Sequence, residues 1–174
     1  MAQTPDGITL KRNRDLAGRV RHVQYRRGLL ALIAVLPILA LLNVFGQSPV
    51  TTQASAPAAT LSVTAPTRLR GGLIFQVRVT IVAHREISHP TIVFDRGWWD
   101  SMSENSIAPN PVSESSRNGR VALSYDRLGA GRTLVSSIYF QANPTNVGTR
   151  RENVELDDGA TPLVTIHRSL SVWP

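Results

Sequence analysis

Along the chain the spacing of hydrophobic positions changes character twice. Residues 1–9, with Pro5 and Gly7, have no hydrophobic period and predict no regular element. From Leu10 to Arg27 only Leu16, Val20 and Val23 recur at helical spacing among arginines, which fits either a basic amphipathic turn on a membrane surface or a solvated basic flank. Gly28–Phe45 then runs without a charge, with Asn43 its one strongly polar side chain. As a helix at about 1.5 Å per residue it would reach roughly 27 Å, close to the thickness of a bilayer's hydrocarbon core. Pro37 removes one backbone hydrogen bond, a loss that membrane helices tolerate better than soluble ones. Residues 46–59 are small, polar and proline-bearing, and read as a linker.

Beyond residue 60 the period is two. Leu61, Val63 and Ala65 alternate with polar residues, and a turn at Arg70-Gly71-Gly72 leads into Ile74–Ala83, where Phe75, Val77, Val79 and Ile81 share one face. Further strands are predicted at Thr91–Phe94, Arg120–Tyr125, Thr133–Ala142, around Val154 and Leu156, and from Leu163 to Trp173. A long polar stretch from Asp95 to Gly119 reads as irregular. About seven strands with turns roughly every ten residues, and no helix after the first, predict an all-β fold: an antiparallel, immunoglobulin-like β-sandwich preceded by a single transmembrane helix.

Charge sharpens the topology. Of the net +7, residues 1–27 carry seven Lys/Arg against Asp6 and Asp15, a net +5, while the remainder carries +2. No Lys or Arg lies between Gly28 and Thr67. The asymmetry places the tail in the cytoplasm and the β-domain outside, and assigns the basicity to anionic lipid rather than nucleic acid. Ala54-Ser55-Ala56 has the small-residue pattern of a signal-peptidase site, but the long basic region and the apolar stretch beyond the usual 7–15 residues favour an uncleaved signal anchor. Release by cleavage near Ala56 is the alternative. With no cysteine in the chain, the domain must hold together by burial alone.

The string VALSYDRLGAGRTLVSSIYFQANPTNVG, followed by REN, VEL, DDG and LVTIHRSLSVWP, resembles the immunoglobulin-like repeat domains of bacterial surface proteins related to the cell-adhesion-related domain. There a strand ends in a hydrophobic residue, a small residue and Gly, as Leu128, Ala130 and Gly131 stand here. The resemblance covers about residues 60–174 and departs at Asp95–Asn118. It implies a module for cell-surface structure or contacts and supplies no catalytic residue.

Candidate chemistry is sparse. His84 and His89 lie five apart and His167 stands beside Arg168, without the spacing of a zinc motif, so no metal or cofactor is expected. Asp157-Asp158 before Gly159 reads as a turn former, and Gly71-Gly72 and Gly129-x-Gly131 open no helix. No nucleophile motif of the G-x-S-x-G kind occurs. The feature that stands out is Asp95-Arg96-Gly97-Trp98-Trp99-Asp100. On a strand adjacent indoles point to opposite faces, so the pair reads as one core and one rim tryptophan, as an interface anchor formed by Arg96, Trp98 and Trp99, or as an insertion into the outer leaflet. The expected function is a membrane-anchored, extracytoplasmic binding or scaffolding module, non-enzymatic, serving another envelope or membrane protein. The alternative is an envelope enzyme whose site combines His84, His89 and the 95–118 segment.

Overall fold

The computed structural model describes residues 20–42 and 46–174, in two units. The expectations for residues 1–19 and 43–45 lie outside the described residues. The first unit holds helix α1, Val20–Leu41, which includes residues 28–41 of the predicted span and the eight residues before it. Its residues His22–Leu41 are long and apolar enough to cross a membrane, and nearly all of their apolar side chains are exposed.

The second unit is all β. Thirteen strands follow: β1 Pro49–Ser55, β2 Ala59–Pro66, β3 Arg68–Arg70, β4 Ile74–Ala83, β5 Pro90–Phe94, β6 Met102–Ala108, β7 Ser113–Arg117, β8 Arg120–Ser124, β9 Thr133–Ala142, β10 Gly148–Arg151, β11 Val154–Asp158, β12 Thr161–Ile166 and β13 Ser169–Trp173. They form a five-stranded sheet β1-β2-β4-β9-β6, a second of order β12-β11-β5-β8-β7, and a three-stranded sheet β10-β13-β3. Every pair is antiparallel except β13 with β3. The apolar helix followed by a β-sandwich is therefore the architecture, with more strands than the period-two pattern displays.

The core follows the alternation. Phe75, Val77, Val79 and Ile81 of β4 are buried, with Leu61, Val63 and Ala65 of β2 on one side and Ile138 and Phe140 of β9 on the other. Phe75 opposes Phe140 across the strands, and their rings stack 5.8 Å apart. The second sheet answers with Ile92, Phe94, Leu123, Val154 and Leu156.

Three expectations need correction. Residues 46–59 are not simply a linker, because Pro49–Ser55 form β1, paired with β2 from Pro49↔Pro66 to Ser55↔Thr60. As an edge strand β1 is mostly exposed, so it has no apolar period to betray it, and an edge also tolerates Pro49. The polar stretch 95–119 is ordered into a 3-10 turn at Arg96–Trp98 and the strands β6 and β7, both at sheet edges, where most side chains are exposed and Met102 and Ile107 turn to the core. The final strand is two. At His167-Arg168 the chain leaves the second sheet for the third, because the Arg168 guanidinium turns inward to the carbonyl oxygens of Ala65 (3.1 Å) and Pro66 (2.9 Å).

Candidate functional site

The 3-10 turn changes how the tryptophan pair sits. With three residues per turn, consecutive side chains diverge by about 120° rather than the 180° of a strand, so both indoles reach the same aromatic cluster. Trp98 lies 5.8 Å from Phe94 and 5.9 Å from Phe140, and Trp99 lies 5.5 Å and 5.1 Å from the same rings. Trp98 is fully buried, donates from Nε1 to the Asn153 carbonyl (3.2 Å), and has the Arg168 guanidinium 5.4 Å over its ring. It is the core member of the pair. Trp99 is half-buried at the rim, and Arg96 is exposed, its stem against the β7–β8 turn at Gly119. Gly97 is required by close approach, since a Cβ there would lie 1.9 Å from the Arg151 carbonyl oxygen.

The β7–β8 turn against which Arg96 packs borders a larger feature that sequence reasoning missed. The outward face of the second sheet forms a groove of about 1230 Å³. Thr91 and Val93 of β5, Ala122 and Ser124 of β8, and Ser113 and Ser115 of β7 form its floor, because Thr91 opposes Ser124, Val93 opposes Ala122, and those in turn oppose Ser113 and Ser115. Short side chains in three adjacent columns make the floor a trough. The sequence signal was the run of small residues at alternate positions of β7 and β8, of which the first was read as part of an irregular polar stretch and the second as a strand.

Charges border the trough. Arg120 pairs with Glu155 and, at 3.2 Å, with Asp95, and Glu155 holds its guanidinium above the ordinary range. Glu86 and Arg127 pair at 3.3 Å on exposed positions. Asp157, opposite Thr91, has its Oδ1 buried without a hydrogen-bond partner. Burial and then the nearby Glu155 push its carboxyl up to about 6, against the opposing pull of Arg120. It is a carboxylate short of a donor.

Near the tryptophans a second polar group is buried outright. Glu152 is fully buried with neither carboxylate oxygen hydrogen-bonded, and burial pushes its carboxyl up to about 8 despite Arg168 and Arg150. Burial likewise lowers Arg168. Asn153 ties the region together, donating to Asp95 Oδ2 (2.7 Å) and accepting from the Arg168 backbone N–H (3.2 Å).

The histidines are not gathered into one site. His84 Nε2 meets Thr60 Oγ1 at 3.1 Å beside the first sheet, whereas His89 lines the groove and its backbone N–H donates to Asp158 Oδ1 (2.8 Å). Among the described residues no group of three His, Asp or Glu is placed to hold a metal ion.

No family model and no curated protein matches the chain. Among solved structures, it is similar to the sixth cohesin of Acetivibrio cellulolyticus scaffoldin B, solved with a dockerin: 13% identity, 62% of this chain and 94% of that one, TM-score 0.38. It is similar also to AvmM, which catalyses macrocyclization in alchivemycin A biosynthesis (6% identity, 74% and 90%, TM-score 0.42), and to a non-cellulosomal cohesin of Archaeoglobus fulgidus (8%, 73% and 92%, TM-score 0.38). At such scores the likeness carries no functional argument, and the β-sandwich rests on this chain's own strand pairing.

Proposed function

We propose that the chain is a single-pass envelope protein with a cytoplasmic N-terminus and an outer β-sandwich that acts as a non-enzymatic binding or scaffolding module for another envelope or membrane protein. The observation that carries this reading is the groove. Its volume exceeds the roughly 300–1,000 Å³ of small-molecule sites, and its ring residue Tyr125 is turned inward, with its hydroxyl 2.7 Å from Ser136 Oγ. What it offers is a broad trough of short side chains with an under-satisfied carboxylate, suited to a protein surface that brings a basic or N–H group to Asp157. Arg96 and the exposed part of Trp99 extend the contact at one end.

An uncleaved anchor is supported by β1: cleavage after Ala56 would strip from the first sheet a strand paired along its whole length. A photo-crosslinking residue in place of Ser115 in the full-length protein should yield a discrete membrane-protein adduct that Ser124→Arg abolishes. The same residue in place of Ser137, on the outward face of the first sheet, should yield none. Equal adducts from both positions would overturn the groove assignment.

A further inference from the structure

The three strands that close one end of the sandwich, β3, β10 and β13, contain four arginines and no acid. Leu69, Leu170 and Val172 face inward and are buried, so Arg68, Arg70, Ser171 and Trp173 face outward. Parallel pairing sets Ser171 beside Arg68 and Trp173 beside Arg70. Trp173 is 55% exposed, although a large aromatic on a soluble domain is ordinarily covered.

Other exposed apolar residues cluster at the same end. Leu73 and Ile74 stand 43% and 56% exposed where β4 begins, and Val147 stands 53% exposed just before β10. The backbone fixes their proximity: the Gly71 N–H donates to the Trp173 carbonyl (2.8 Å), the Gly72 N–H to the Ala142 carbonyl (2.9 Å), and Gly148 opposes Val172. Asp100 also lies at this end, beside Arg150, whose guanidinium donates to its carbonyl.

This is also the end at which the chain enters the domain. Pro49 opposes Pro66, two residues before Arg68. Only residues 42–48 separate the last residue of α1 from β1, and at about 3.3–3.6 Å per residue they span roughly 25 Å at most. A domain so tethered to a membrane-spanning helix cannot leave the lipid surface by more than that distance.

We infer that the outward face of the three-stranded sheet is a membrane-contact surface, with Trp173, Leu73, Ile74 and Val147 at the boundary of headgroups and acyl chains, and Arg68 and Arg70 against the phosphates of anionic phospholipids. Tryptophan prefers that boundary because its ring is apolar and its N–H needs a partner, and the arginines make charge-assisted hydrogen bonds to headgroup phosphates. The outer-leaflet role considered for the Trp98-Trp99 pair falls instead to Trp173, which is exposed where Trp98 is not. The inference rests on the membrane anchoring proposed above.

Because the chain has no cysteine, one introduced thiol gives a unique label. The full-length protein carrying Leu73→Cys, Val147→Cys or, at the opposite end, Ala160→Cys is labelled with a fluorophore and reconstituted into phosphatidylcholine vesicles with and without phosphatidylglycerol, using acyl chains brominated near the headgroup. Labels at positions 73 and 147 should be quenched and the label at 160 should not. Quenching should strengthen with phosphatidylglycerol and weaken on adding Trp173→Ala or the pair Arg68→Gln and Arg70→Gln. Equal quenching at 73 and 160 in vesicles that carry the protein would overturn the contact surface and leave the anchor standing. Failure of the protein to float with the vesicles would overturn both. Quenching at 73 that ignores all three substitutions would overturn the roles given to these residues.

Discussion

The inner face of the first sheet and the closed end around Trp98 are both fully buried, yet they are held together differently. Between β2, β4 and β9 the contacts are almost wholly hydrocarbon, with Phe75 stacked on Phe140 and Val77, Val79 and Ile81 at complete burial. There stability follows area, and shape can be traded among apolar side chains. Around Trp98 polar groups share the walls with Phe94 and Phe140: Arg168 lies over the ring, the Asn153 carbonyl takes its N–H, and Glu152 sits nearby with no donor. Such a region gains less from burial and is more sensitive to any single deletion, because each loss strands a partner in a low dielectric. A domain without disulfides can thus place its tolerance in one layer and its specificity at one end.

The largest expected effects test that contrast directly. Phe75→Ala should cost about 3–5 kcal/mol, the usual cost of truncating a core aromatic. Trp98→Ala should cost at least as much, since it also strands the Asn153 carbonyl and uncovers Arg168. Denaturant melts of the two variants decide the matter, and a clearly smaller loss for Trp98→Ala would mean that the polar shell contributes nothing.

A second test uses pH. The Glu152 carboxyl is raised from an ordinary value near 4.5 to about 8, so the folded protein prefers it neutral. Below the unfolded value it is neutral in both states. As pH rises towards 8 the unfolded chain ionises freely while the folded one resists, and stability is lost through that window. Glu152→Gln should therefore flatten the decline of the unfolding midpoint between pH 4.5 and 8, with a gain at pH 8 on the order of a few kcal/mol. A wild-type stability that rises over this range in parallel with the variant's would show that the Arg168 and Arg150 charges outweigh burial.

The smallest effect is expected at a single buried hydrogen bond. Tyr125→Phe deletes the hydroxyl paired with Ser136 and should cost about 1 kcal/mol, less than either aromatic truncation. A larger loss would mean that this bond organises the core beneath the groove.

Strands half-covered by the core were legible in the sequence. Ile74–Ala83 and Thr133–Ala142 stand at the residues that period-two alternation gives, since one face of each meets the other sheet and the other meets water. The apolar helix was legible too, because a long uncharged apolar run shows its chemistry in composition alone. Edge strands were not legible. β1, β6 and β7 are defined by backbone pairing with a neighbour, and side chains at an open edge need no apolar period. The Asp95–Asp100 segment drew attention through its tryptophans, but strand logic predicted opposed indoles where a 3-10 turn brings both to Phe140. The groove depends on which strands become neighbours, as Thr91, Ser124 and Ser113 meet only once β5, β8 and β7 lie side by side. In the same way Trp173 meets Arg70 through a parallel pairing of strands that are a hundred residues apart in the chain. Local periodicity records how each residue is solvated; which distant residues share a surface is decided only by long-range strand pairing, and this protein's candidate surfaces are built from such pairings.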